Sequence, residues 1–224
     1  MRIQRHWAVI AGAAAIVAAA AVATSVAFAS GSSSGSVSGS SSSPDSPGAQ
    51  GRAAGPARNL RRDIGLAWFR ARPTPAGWHQ VTLPGGGAVL SSPPSLSRMA
   101  GDKGTVSEGL THSGRVLLYL NVTPRQGGET LSGWARFRVG HLTDDDASSA
   151  RLDGAAEGLK FRGGQGSCVI DDYITKVHAN HYREIACFVR GARTSSVLVA
   201  ATPAADWARY AGLLEEAVDS YTVR

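Results

Sequence analysis

Only two of the 224 residues are cysteine, and the chain has neither a C-x-x-C nor any paired Cys/His spacing. That excludes the usual tetrahedral zinc patterns and the dithiol redox motif. From residue 78 onward there is no G-x-S-x-G, S-x-x-K, H-E-x-x-H or P-loop; Gly164-Gln-Gly-Ser167 is out of frame for the first of these. The glycines from Gly163 to Gly166 read as a loop between strands and not as a phosphate cradle, because no helix follows them. Asp144, Asp145 and Asp146 lack the alternating acidic spacing and the later Glu of a calcium loop. They read as a solvated helix end. No internal repeat is found.

Charge of one sign is also missing where it would matter. The formal net charge is +6, but residues 1–77 hold eight Arg against two Asp, while residues 78–224 hold 15 basic and 15 acidic residues. A neutral domain is a poor ligand for phosphate backbones, so no nucleic-acid partner is expected. Lysine is scarce, with 20 Arg to 3 Lys. Together with abundant Ala and Gly, that usage resembles an actinobacterial-type, high-GC source; this is an association, not a physical inference.

The N-terminus is a targeting segment. Arg2, Arg5 and His6 precede an uncharged run from Ala8 to Ala29, ending in Ala27-Phe28-Ala29 before Ser30. Residues 1–29 therefore read as a signal peptide with an A-x-A site or as a single transmembrane anchor. The length favours the anchor, and the alanine-rich composition favours cleavage. Either way the basic end stays inside and the rest goes outside. Residues 30–57 read as a disordered linker, with 11 Ser, four Gly and two Pro in residues 30–48. Residues 58–77 form an Arg-rich arm. Leu60, Ile64, Ala67 and Trp68 at helical spacing suit either an anionic membrane surface or docking on the chain's own domain.

From Trp78 to Arg224 the pattern is strands, helix, strands, helix. Trp78–Leu83, Gly87–Ser91, Thr105–Thr111 and Arg115–Thr123 read as strands, the last two joined by a Ser113-Gly114 turn. Leu131, Trp134, Ala135, Val139 and Leu142 follow helical spacing, with Thr130 as cap. Gly158–Arg162, Ser167–Lys176, Tyr182–Arg190 and Ser195–Ala201 read as further strands. A closing helix begins at Thr202-Pro203. Trp207, Tyr210, Leu213, Leu214, Ala217, Val218 and Tyr221 form its buried face, and Arg209, Glu215, Glu216 and Asp219 its exposed one. Short connections imply antiparallel pairing, so the fold class is α+β, an antiparallel sheet flanked by helices.

The Trp-led strand, the Pro-rich turn, the meander and the closing TPAADWARYAGLLEEAVDSYTV resemble the PsbP-like superfamily over roughly Trp78–Arg224. The resemblance rests on packing features. It implies an antiparallel sheet with flanking helices and a binding or assembly role, and it carries over no catalytic residue.

Exported cysteines are expected to pair. If opposed positions on the two strands sum to 355, Cys168 faces Cys187, Ile170 faces Ile185, and Asp172 faces Arg183 as an opposite-charge pair. The required turn near Val177-His178 contains no glycine, and a turn at Ala179-Asn180 would shift this register. His178 and His181, with Asp171 and Asp172, could be drawn as a metal site, but their spacing matches no zinc pattern, and a solvated hairpin tip is the simpler reading. No catalytic, cofactor or metal residue is therefore assigned; the one site expectation is the Cys168–Cys187 disulfide. The expected function is a noncatalytic extracytoplasmic domain, anchored or secreted, that binds a cell-envelope protein or a small ligand. The alternative is a secreted hydrolase with an unrecognised site.

Overall fold

A computed structural model describes residues 65–224. The signal or anchor at 1–29, the linker at 30–57 and the start of the arm lie outside the described residues. Among the described residues no helix is long and apolar enough to cross a membrane.

Ten strands and two helices build an α+β fold of mostly antiparallel sheet. The strands are β1 (His79–Thr82), β2 (Ala88–Ser92), β3 (Ser97–Arg98), β4 (Val106–His112), β5 (Arg115–Pro124), β6 (Ala147–Phe161), β7 (Gly164–Thr175), β8 (His181–Gly191), β9 (Ser195–Pro203) and β10 (Thr222–Val223). Helix α1 (Trp134–Asp145) follows β5, and α2 (Trp207–Asp219) follows β9 through a single 3-10 turn. Seven strands form the main sheet in the order β3-β4-β5-β9-β8-β7-β6, and β1-β2-β10 form a small one.

The central strands β7, β8 and β9 are buried along nearly their whole length, because both faces of the main sheet are covered. Alternation sends successive side chains to opposite faces. Cys168, Ile170, Ile185, Cys187, Val189, Leu198 and Ala200 join Leu214, Val218 and Tyr221 of the closing segment in one apolar cluster. Val169, Ala186, Phe188, Val197 and Val199 face the other way, toward Trp134 of α1. Leu66 and Phe69 of the arm are buried in the first cluster, with the Phe69 ring 4.6 Å from Phe161.

Several details differ from the sequence expectation. The largest is β6, a 15-residue edge strand where only Gly158–Arg162 was expected. Its sequence is rich in Ala, Ser and charge, and its ladder with β7 shifts register in three places. Those bulges break the period of two that marks a strand. The expected Gly163–Gly166 loop shrinks to a tight turn: Gly163 has φ +83° against the Val223 carbonyl, and β7 already begins at Gly164. Thr202 is not a helix cap. It lies in β9, and its Oγ1 donates to the Leu117 carbonyl at 2.8 Å. Thr130 Oγ1 accepts from Gly133 N at 3.1 Å, bracing the turn ahead of α1, whose own N-cap is Gly133.

Candidate functional site

The face covered by α1 carries a buried cluster of charged side chains, Arg138, Asp171 and Glu184. Trp134, Arg138 and Leu142, spaced four apart, are the buried residues of α1. The expected stripe ran through Val139; the helix is instead turned so that Arg138 occupies the middle of the buried line. The Trp134 indole donates to the Ala186 carbonyl at 2.8 Å and fixes that rotation.

Arg138 reaches two carboxyls that the sheet holds face to face. Asp171 on β7 and Glu184 on β8 are register partners, and both are 0% exposed. Arg138 Nε donates to Glu184 Oε1 at 2.7 Å, and Nη2 lies against the same oxygen, off the line of a hydrogen bond. Both oxygens of Asp171 and Oε2 of Glu184 have no hydrogen-bond partner among the described residues. Burial, reinforced by the charge of Glu184, pushes the Asp171 carboxyl well above the usual carboxylate range. Tyr173 beside them is likewise pushed up, first by burial and then by Glu184.

Above this trio opens a small cleft between α1 and strands β5 and β9. Trp134, Phe137, Arg138 and His141 form the helix wall, and Asn121, Thr123, Val197 and Val199 form the sheet wall. Gln126 and Glu129 close one end. Trp134, Phe137 and His141 stack along the helix with ring centroids 5.9 and 5.8 Å apart. Glu129 is sealed in its loop by backbone donors, Gln126 N at 2.9 Å and Gly127 N at 2.6 Å. The cavity of about 30 Å³ has room for a water molecule or two, far less than a ligand pocket of hundreds of Å³.

The residues named from sequence fall elsewhere. Cys168 and Cys187 are disulfide-bonded, and the β7–β8 register is the one whose positions sum to 355, with Ile170 against Ile185 and Asp172 against Arg183. The glycine-free turn is made with His178 at φ 67° and Ala179 at φ 48°. Each costs on the order of 1–2 kcal/mol in this region. Thr175 offsets part of that cost: its Oγ1 donates to Val177 O at 2.6 Å and accepts from Asn180 N at 3.0 Å. Asp171 and Asp172 point to opposite faces, so they are not brought together with His178 and His181. His181 meets Asp172 alone, at 3.3 Å. Among the described residues no group of three or more His, Cys, Asp and Glu is placed to hold a metal ion.

Asp144 and Asp145 belong to the last turn of α1, and Asp146 is its C-cap. The Lys176 ammonium answers the unfavourable helix dipole there, donating to the Asp144 and Asp145 carbonyls at 2.7 and 3.2 Å. Asp219, expected on the exposed face of the closing helix, is buried. Its Oδ1 accepts from Arg70 N at 2.8 Å and its Oδ2 lies 3.4 Å from Arg72, which ties the arm to α2. Glu108 joins the two sheets, accepting from Ser92 Oγ at 2.8 Å and meeting His79 Nε2 at 2.9 Å. Ser92 is fully buried, so this trio has no accessible nucleophile.

Sequence reasoning missed Arg138 and Glu184, and weighed Asp171 only as a possible metal ligand. The signal was present: the register that opposes the cysteines also opposes Asp171 and Glu184. Like charges facing each other on a buried ladder demand a cation or a proton.

No protein-family model and no curated protein sequence matches the chain. Similar solved structures include the Ran-binding protein Mog1p of Saccharomyces cerevisiae, at 14% identity and TM-score 0.46, covering 65% of this chain and 95% of that one. They also include the cyanobacterial PsbP of Synechocystis, at 15% identity and TM-score 0.47, covering 67% of this chain and 94% of that one. The structural neighbours thus include a PsbP, the superfamily that the closing helix resembles. At these identities no ligand, partner or residue role passes from either protein to this chain.

Proposed function

We propose that the chain is a noncatalytic extracytoplasmic domain, anchored or secreted, that binds a cell-envelope protein or a small ligand, with the surface around the mouth of the α1 cleft, not its small interior, as the contact. One observation carries this reading: the carboxyl most displaced from ordinary titration, Asp171, is 0% exposed beneath α1. A general acid or base must reach the proton it transfers, and no substrate reaches Asp171. Its perturbation therefore serves the architecture of the helix and not a reaction. The groups that line the cleft mix aromatic and aliphatic side chains with amides and with Arg138, Glu129 and His141, and the aromatic and Arg side chains are types enriched at recognition surfaces. The Cys168–Cys187 disulfide is compatible with an oxidising compartment, and the basic-then-apolar N-terminus supplies the route there. The neutral balance of residues 78–224 argues against nucleic acid as the partner.

The test is affinity capture from envelope extracts with the full chain, identifying peptides and metabolites together. Thr123→Arg, which fills the cleft, serves as the paired bait. The expected result is a species retained by the wild type and lost with the variant. Retention unaffected by Thr123→Arg would move the site elsewhere. Turnover of an ester, peptide or glycoside panel, abolished by His141→Ala, would establish the hydrolase alternative.

A further inference from the structure

We propose that Asp171 and Glu184 hold a single proton between them around Arg138, and that this proton locks α1, with the aromatic wall of the cleft, onto the sheet. Burial and the charge count both favour it. Two carboxyls that oppose each other on adjacent strands, both 0% exposed, share one guanidinium. That guanidinium is committed to Glu184 Oε1, and neither oxygen of Asp171 has a hydrogen-bond donor among the described residues. Two carboxylates and one guanidinium carry a net charge of −1, and a single proton, placed on Asp171, brings the trio to neutrality. Removing the proton would leave an uncompensated negative charge sealed from water, which favours letting the site open.

No other group facing the trio supplies the missing charge. From α1 only Arg138 reaches it. From β7 and β8 come Tyr173 and Tyr182, and from β5 Tyr119, all three held in the neutral form by burial. β6 and β9 present apolar residues on this face, among them Leu152 and Val199. Asp172, and Asp153 from β6, act only through the sheet, and each pushes Asp171 further up. The element that seals the trio is α1, so α1 is what gives way when the proton is lost.

The sign follows from linkage. Asp171 holds its proton in the folded state at pH values where the unfolded chain has lost it. The folded state then binds more protons, and the lock weakens as pH rises above the ordinary carboxylate value toward the raised one. In that window an opening that exposes Asp171 becomes about tenfold more favourable per pH unit. This device is independent of what the cleft binds.

The experiment is amide hydrogen exchange of the full chain between pH 5 and pH 8, corrected for intrinsic exchange rates, together with a carboxyl 13C titration. Protection of α1 is expected to fall with rising pH toward that tenfold limit, while α2 stays comparatively flat. Asp171→Asn, nearly isosteric and neutral at every pH, is expected to remove the slope. In Glu184→Gln, Asp171 becomes the only carboxylate for Arg138, and its titration is expected to move down toward ordinary values. An Asp171 that titrates in the ordinary range in the wild type overturns the shared proton, whether or not the variants fold. Equal slopes in α1 and α2, or a wild-type slope in Asp171→Asn, overturn the lock.

Discussion

Two cross-strand pairs sit one residue apart on the β7–β8 ladder and look out on opposite faces of the sheet. Asp172 faces Arg183, and opposite charges meet directly: Arg183 Nη1 donates to Asp172 Oδ2 at 2.6 Å and also to Asp153 of β6. Arg151 and His181 lie 3.2 and 3.3 Å from Asp172, although Arg183 Nε is left without a partner among the described residues. Its guanidinium also lies over the Trp207 ring at 4.9 Å. Asp171 faces Glu184, and that pair cannot satisfy itself. It borrows a cation from a helix 46 residues before Glu184 in the chain. One register thus sets two unlike problems. On the α2 face strand pairing solves the charge. On the α1 face only a tertiary contact can, and the helix rotation fixed by Trp134 is the one that delivers Arg138 to it.

The comparison breaks most visibly when the borrowed cation is removed. Arg138→Ala leaves a buried carboxylate without a partner and is expected to cost about 3–5 kcal/mol by denaturant unfolding near neutral pH. The cost should change with pH, because Arg138 draws down the Asp171 carboxyl that burial and Glu184 push up, and that restraint goes with the side chain. A loss under 1 kcal/mol would mean that Arg138 is not holding the helix. The apolar counterpart on the opposite face is Leu214, 0% exposed in the middle of α2. Leu214→Ala is expected to cost about 2–5 kcal/mol, the cavity term for a buried leucine. The two effects can be similar in size, but only the first should change with pH. A pH-dependent loss in Leu214→Ala would erase the distinction between the faces.

The disulfide gives the next effect. It closes a loop of 19 residues' separation between the two central strands, worth roughly 3 kcal/mol through the unfolded chain. Reduction should lower the melting temperature without abolishing the fold, because Ile170, Ile185 and Leu198 remain packed around it. Two free thiols in denatured, unreduced protein would contradict the bond.

The apolar face was legible in the sequence because its signals are local. The closing helix writes its buried stripe at helical spacing, and β5, β7, β8 and β9 write alternating or continuous apolar runs. The register followed from two cysteines and one ion pair. What was not legible had its cause elsewhere in the chain. Asp219 reads as exposed until Arg70 and Arg72 arrive to meet it. Arg138 falls outside the apolar stripe of its helix, and nothing local announces Asp171 and Glu184 beneath it. β6 shows only its Gly158–Arg162 end because its pairing partner, and not its own composition, makes the rest a strand. The cleft inherits this difficulty: its two walls come from β5, β9 and α1, and no single stretch of sequence contains it.

The smallest expected effect is the sharpest test of the comparison itself. The Asp172–Arg183 pair lies at the sheet's end, with the Arg183 side chain 25% exposed and the neighbouring Arg151 71% exposed. Partly solvated pairs couple by about 0.2–1 kcal/mol, screened by salt. A double-mutant cycle of Asp172→Asn and Arg183→Gln should fall in that range and shrink in 1 M NaCl. The matching cycle of Glu184→Gln and Arg138→Gln should give a larger coupling that salt barely moves, since no ion reaches the trio. Removing Asp172 takes a carboxylate from a network in which Arg151 and His181 remain hydrated, so little is left unpaired. Removing Glu184 strands a guanidinium under α1 unless Asp171 gives up its proton to meet it. Equal couplings with equal salt dependence would show that the two pairs differ in address only, and that burial under α1 does not set the energetics of this face.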